Sequence, residues 1–159
     1  MSGMDRGEPP KGLRGLLDRL MRRAQAPLYD ERIVAHIETP QDGSYVPYRL
    51  SVEGTHQNIP DNWDLWLVLY DPEADVFFPQ PSAIMALPGG RWYTVATLGE
   101  DKMSEAGRTF EVLLLLLPRS AAMHLVRQTQ EAAARGKSSS MPSVPRGGRV
   151  MDRVIVTRY

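Results

Sequence analysis

The sequence predicts a mainly β protein: an antiparallel sandwich of about seven short strands, with an amphipathic helix in front and a second helix inserted before the last strand. Three observations carry this. Apolar residues alternate with period two through most of 32–118, the mark of half-buried strands. Turn signals recur between those runs, as DGS (42–44), DPEAD (71–75) and LPGG (87–90). Two stretches keep helical spacing instead, 11–25 and 120–135.

Residues 1–10 are rich in Gly, Pro and charge and read as a disordered tail. In 11–26, Leu13, Leu16, Leu17, Leu20, Met21 and Ala24 follow an i, i+3, i+4, i+7 template, and Pro27 stops the run. The opposite face carries Lys11, Arg14, Arg19, Arg22 and Arg23 against Asp18. The sandwich is expected over 32–159. RIVAHIE (32–38) and PYRLSVEGT (47–55) alternate, and HQNIPDN (56–62) is a loop. WDLWLVLY (63–70) is apolar on both faces, with Trp63, Leu65, Leu67 and Leu69 opposite Trp66, Val68 and Tyr70, as a central strand should be. In DPEAD, Pro72 is preset for the first central position of a reverse turn. VFFPQP (76–81) is an edge strand, because its prolines cannot donate to a ladder. RWYTVATL (91–98) is aromatic and β-branched. GEDKMSEAG (99–107) connects it to RTFEVLLLLLP (108–118).

That last strand poses the main question. Phe110, Val112, Leu114 and Leu116 make one face, and Leu113, Leu115 and Leu117 make most of the other. Exposing three leucines costs several kcal/mol at about 25 cal/mol per Å². The 120–135 helix is assigned as their cover, because a short connection keeps it near; Ser120 is its expected N-cap and Gly136 its C′ residue. The 11–25 helix then serves as a second cover or is free for a partner, and a dimer through the leucine face is the third option. Residues 137–148, KSSSMPSVPRGG, read as a flexible linker, and RVMDRVIVTR (149–158) as the closing strand.

IETPQDGSYVPYRLSVEGT (37–55), NWDLWLVLY with Trp66, GRWYTVATLG and AGRTFEVLLLLL together resemble bacterial immunoglobulin-like domains over about 32–118, with 149–158 as strand G. The resemblance implies an immunoglobulin-like β-sandwich with Trp66 as the core tryptophan of strand C. The chain departs from the pattern in having no cysteines for an inter-sheet bridge. It also carries a helix and linker, 119–148, where a tight F–G hairpin is usual.

Composition narrows function mainly by exclusion. Lys+Arg and Asp+Glu both number 19, so no global field favours nucleic acid. The absence of cysteine removes disulfides, thiolate metal sites and thiol nucleophiles, and fits a reducing, cytoplasmic setting. No signal peptide or transmembrane run is evident. His36, His56 and His124 lack metal spacing, and no serine stands in G-x-S-x-G. Asp71, Glu73 and Asp75 alternate like a Ca²⁺ loop but lack its Gly and distal Glu, so a hairpin turn is the better reading. The paired glycines at 89–90 and 147–148 have no phosphate-binding context.

No catalytic, cofactor or metal residue is therefore nominated. The expectation is a non-enzymatic protein–protein interaction module, an adaptor or accessory component of a bacterial assembly. It would use apolar surface on strand 108–118 and helix 11–25, with Leu13, Leu16, Leu17, Leu20, Arg22 and Arg23 as contacts. One alternative is a carbohydrate- or peptide-binding platform from Trp63, Tyr70, Phe77, Phe78, Trp92 and Tyr93. One of the adjacent pair Phe77 and Phe78 would point outward there. The other is a peripheral membrane subunit held on anionic lipid by residues 11–25.

Overall fold

The computed structural model describes residues 32–81, 83–100 and 102–159. The expected tail 1–10 and helix 11–26 lie outside the described residues. What is described is mainly β, two stacked sheets and one helix. The strands are β1 (Val34–Thr39), β2 (Ser44–Val46), β3 (Arg49–Gln57), β4 (Trp63–Asp71), β5 (Val76–Pro79), β6 (Met85–Leu87), β7 (Arg91–Thr97), β8 (Thr109–Pro118) and β9 (Arg149–Arg158). Helix α1 spans Arg119–Ala134. One sheet has the order β1-β3-β7-β6 and the other β2-β9-β8-β4-β5. Pairing is antiparallel except for β2, which runs parallel to β9. The two strands beyond the expected seven, β2 and β6, are three residues long, too short to display an alternation.

The sheets close on an inner core. Leu65, Leu67 and Leu69 of β4 and Phe110, Val112, Leu114 and Leu116 of β8 meet Leu50 and Val52 of β3 and Trp92 and Ala96 of β7. Trp92 is the tryptophan buried between the sheets, and its Nε1 donates to the carbonyls of His36 (3.2 Å) and Thr55 (3.1 Å). Gly54, directly across from Trp92 in the β3–β7 ladder, must be glycine. A Cβ there would collide with the His36 carbonyl and the Trp92 ring.

Trp66, expected in this core, is buried on the opposite face. Its period-two partners Val68 and Tyr70 go with it, since side chains two apart share a face. Its Nε1 donates to the Gln80 carbonyl at 2.9 Å.

The second face of β4 and β8 forms a separate outer core. Leu113, Leu115 and Leu117 are buried there with Trp66, Val68, Tyr70 and Phe77, beneath Ala122 and Leu125 of α1. Thr129 lies in the same buried stripe and satisfies its hydroxyl by donating to the Leu125 carbonyl at 2.9 Å. The helix begins without a side-chain cap: Pro118, not Ser120, holds the N-cap position. Its first N–H group finds another acceptor, Arg119 N donating to the Asn62 carbonyl at 2.9 Å. The far end closes as a Schellman motif. Gly136, at φ 67°, donates to the Ala133 carbonyl (2.9 Å), and Lys137 donates to that of Ala132 (2.9 Å).

Residues 137–148, expected as a free tether, are anchored in the middle. Met141 exchanges two backbone hydrogen bonds with Phe77, of 2.9 and 2.7 Å, closing the outer edge of β5. Met141 and Val144 are buried in the outer core. No helix among the described residues is long and apolar enough to cross a membrane.

Candidate interaction surfaces

With the leucine face of β8 shut beneath α1, strand 108–118 offers no open apolar surface. The expected anchors fare similarly. Phe77 is fully buried against Tyr70, ring centroids 4.7 Å apart. Trp63 and Phe78 are half-buried and pack on the inner core. Tyr70 and Trp92 are buried, leaving Tyr93 as the one member of the aromatic group that counts as exposed. The six rings therefore do not share a platform; five divide between two cores and Tyr93 stands apart. Leu13, Leu16, Leu17, Leu20, Arg22 and Arg23 lie outside the described residues.

Exposed apolar side chains gather elsewhere. Val46, Val154 and Val156 enter the inner core, so alternation turns Tyr45, Ile155 and Thr157 outward. Tyr45 stands opposite Thr157, with Ile155 and Tyr159 as its diagonal neighbours. Tyr45 is 75% exposed, Tyr159 69% and Ile155 39%. This patch occupies the half of the five-stranded sheet that α1 does not reach, at the β2 edge. The sequence carried a signal for it: Val154-Ile155-Val156 is apolar on both faces, as β8 is.

Polar ties hold this half in place. Ile155 N–H donates to Asp42 Oδ1 (2.7 Å), and the Ile155 carbonyl accepts from Gly43 N–H (2.7 Å). Asp152 Oδ2 accepts from Ile37 N–H at 2.8 Å, joining β9 to the other sheet. The strongest tie is Arg158, 5% exposed. Its Nη1 donates to Glu105 Oε2 (2.9 Å) and to the carbonyls of Leu98 (3.2 Å) and Glu100 (2.5 Å), and its Nη2 to that of Lys102 (3.1 Å). The guanidinium also lies 4.7 Å above the Tyr48 ring. Glu105 in turn accepts from Glu100 N–H at 2.7 Å. A single arginine at a strand end reads from sequence as solvated, and nothing in its neighbours announced this clamp.

The acidic turn after β4 is occupied from within. Asp71 Oδ1 accepts from Glu73 N–H at 3.0 Å, and Oδ2 is taken by Arg108. Asp75 Oδ1 accepts the Tyr70 hydroxyl at 2.8 Å. Burial, then that hydrogen bond, then the charges of Asp75, Glu111 and Asp71 push the Tyr70 phenol up to about 12. Among the described residues no group of three or more His, Asp or Glu side chains is placed to hold a metal ion.

No family model matches the chain, and no curated protein does. Among solved structures it is similar to the endo-β-1,4-mannanase from Thermotoga petrophila, at 13% identity and a TM-score of 0.43. The likeness covers 82% of this chain and 20% of the mannanase, so the chain spans about a fifth of that protein's length.

Proposed function

We propose that the chain is an immunoglobulin-like sandwich acting as a non-enzymatic protein-interaction module, an adaptor or accessory component of a bacterial assembly working in the cytoplasm. The strand order supports the fold reading. Lettering β1, β3, β7 and β6 as A, B, E and D, and β2, β9, β8, β4 and β5 as A′, G, F, C and C′, gives an ABED sheet and an A′GFCC′ sheet. The helix and its return segment then occupy the F–G connection.

The function reading rests on one observation: the Tyr45–Ile155–Tyr159 patch is left bare on a face whose other half is sealed. Tyrosines at an open sheet edge supply large contact area at low conformational cost. The partner surface of this proposal is thus β2–β9, moved from the strand 108–118 face expected from sequence.

The test is site-specific photocrosslinking in cells from position 45, with position 123 on the exposed side of α1 as control. Discrete protein adducts from position 45, lost in the Ile155→Ser/Tyr159→Ser background, support the reading. Adducts equal at both positions, or unchanged in that background, remove it.

A further inference from the structure

A cleft of about 790 Å³ lies between the end of the sandwich and the end of α1, within the ~300–1,000 Å³ usual for small-molecule sites. Tyr48, Phe78, Gln80 and Glu100 line it from the sandwich; Lys137 and Ser139 line it from the segment after α1. Its chemistry turns on Gln80, which is 5% exposed. The backbone of Gln80 is spent: its N–H donates to the Leu67 carbonyl at 3.0 Å and its carbonyl accepts from Trp66 Nε1 at 2.9 Å. Its side-chain oxygen accepts from Thr97 N–H at 2.9 Å. A backbone N–H can only donate, so that bond sets the amide orientation and leaves the Nε2 group as the free end. Among the described residues no acceptor meets Nε2. Nε2 is not shut off from solvent, so it is a donor open to a partner, on a residue that lines the cleft.

The remaining walls say what could meet it. Lys137 and Glu100 bring one charge of each sign, and Glu100 is already paired with Lys102. The end of α1 presents the negative pole of its dipole, which disfavours an anionic ligand. An extended peptide would need backbone donors along the rim. Pro79 and Pro81 have none, and the Gln80 N–H between them is committed. What the cleft does present is an unpartnered amide donor, a carboxylate, a serine hydroxyl and two aromatic side chains. This set suits a neutral ligand with many hydroxyls and apolar ring faces.

We propose that this cleft is a binding site for a neutral saccharide, with Gln80 Nε2 donating to a sugar oxygen and Phe78 and Tyr48 flanking the ring. It is separate from the β2–β9 patch and stands or falls without it.

The test is an NMR titration of the ¹⁵N-labelled chain, following the Gln80 side-chain amide pair. The probes are cellotriose, xylotriose, mannotriose and chitotriose, with triglycine as the peptide control. The expected result is a saturable shift of that pair with at least one trisaccharide. Affinity should fall tenfold or more in Gln80→Glu, which keeps an oxygen for Thr97 N–H but loses the donor. It should fall likewise in Ser138→Trp, which crowds the cleft from an exposed position and touches neither core, so it reports even where Gln80→Glu fails to fold. No shift with any trisaccharide, equal shifts with triglycine, or binding that survives Ser138→Trp overturns the proposal.

Discussion

The outer face of the five-stranded sheet is treated in two ways. Over β4, β8 and the start of β9 it is sealed by α1 and by Met141 and Val144; over the later part of β9 and over β2 it is open. The residues explain the difference. On the sealed half every outward side chain in the packed region is large and apolar: Trp66, Val68, Leu113, Leu115, Leu117. On the open half apolar Ile155 alternates with Arg153 and Thr157, and Arg153 pairs with Glu111. The sealed half is held by burial and needs its cover. The open half is held from its inner side, by Val46, Val154 and Val156 in the inner core and by polar ties such as those of Arg158, and needs no cover. A strand can therefore lie beside a leucine-rich neighbour and remain a surface.

The largest effect should come from removing the clamp on the open half. Arg158→Met removes the closer charge partner of a mostly buried Glu105 carboxylate, which keeps Arg108 and the Glu100 N–H, and strands several carbonyls, at about 3–5 kcal/mol in urea unfolding. A cost below about 1 kcal/mol would show that the polar ties are incidental. Next, Leu115→Ala opens a cavity in the sealed half and should cost about 2–5 kcal/mol by the same measurement. A smaller cost would mean that α1 rides loosely on the sheet.

The third prediction concerns pH. The Tyr70 phenol titrates near 12 when folded and near its ordinary value, about 10, when unfolded. Between these values the unfolded chain has lost a proton that the folded chain keeps, so stability should fall as pH rises from about 10 to about 12. Tyr70→Phe should flatten that segment of the profile, read as the urea midpoint against pH; an unchanged slope would refute the coupling. The smallest effects belong to Tyr45→Ser and Tyr159→Ser, each within about 0.5 kcal/mol of the parent. A larger loss would mean that the open half is part of the fold's own packing rather than a surface.

What could be read from the sequence followed from parity. The two apolar sets of 63–70 and of 108–118 are both buried, each on its own face, and the helix that begins directly after Pro118 covers one of them. Which set met the other sheet was not legible within one strand. Trp66 was expected between the sheets, but α1 lies on its side, and Trp92 fills the inner core. That choice is made by an element fifty residues away, not by local pattern. The burial of Met141 was hidden because a lone methionine among serines and prolines has no period. Arg158 was hidden because its acceptors are mostly main-chain carbonyls of a loop, and carbonyls are the same in every sequence. The candidate surface was half legible: Val154-Ile155-Val156 showed a second apolar face, while Tyr45 belongs to a strand of three residues.

The Arg158 guanidinium grips the main chain at Leu98, Glu100 and Lys102, and Glu100 also forms a wall of the cleft. That stretch of backbone gains this grip only once residue 158 has been synthesised and docked, after the flanking strands β7 and β8 have been made. Loosening of the final strand would therefore loosen one wall of the cleft as well. Slowed or quickened amide exchange in 98–102 would then report on both at once.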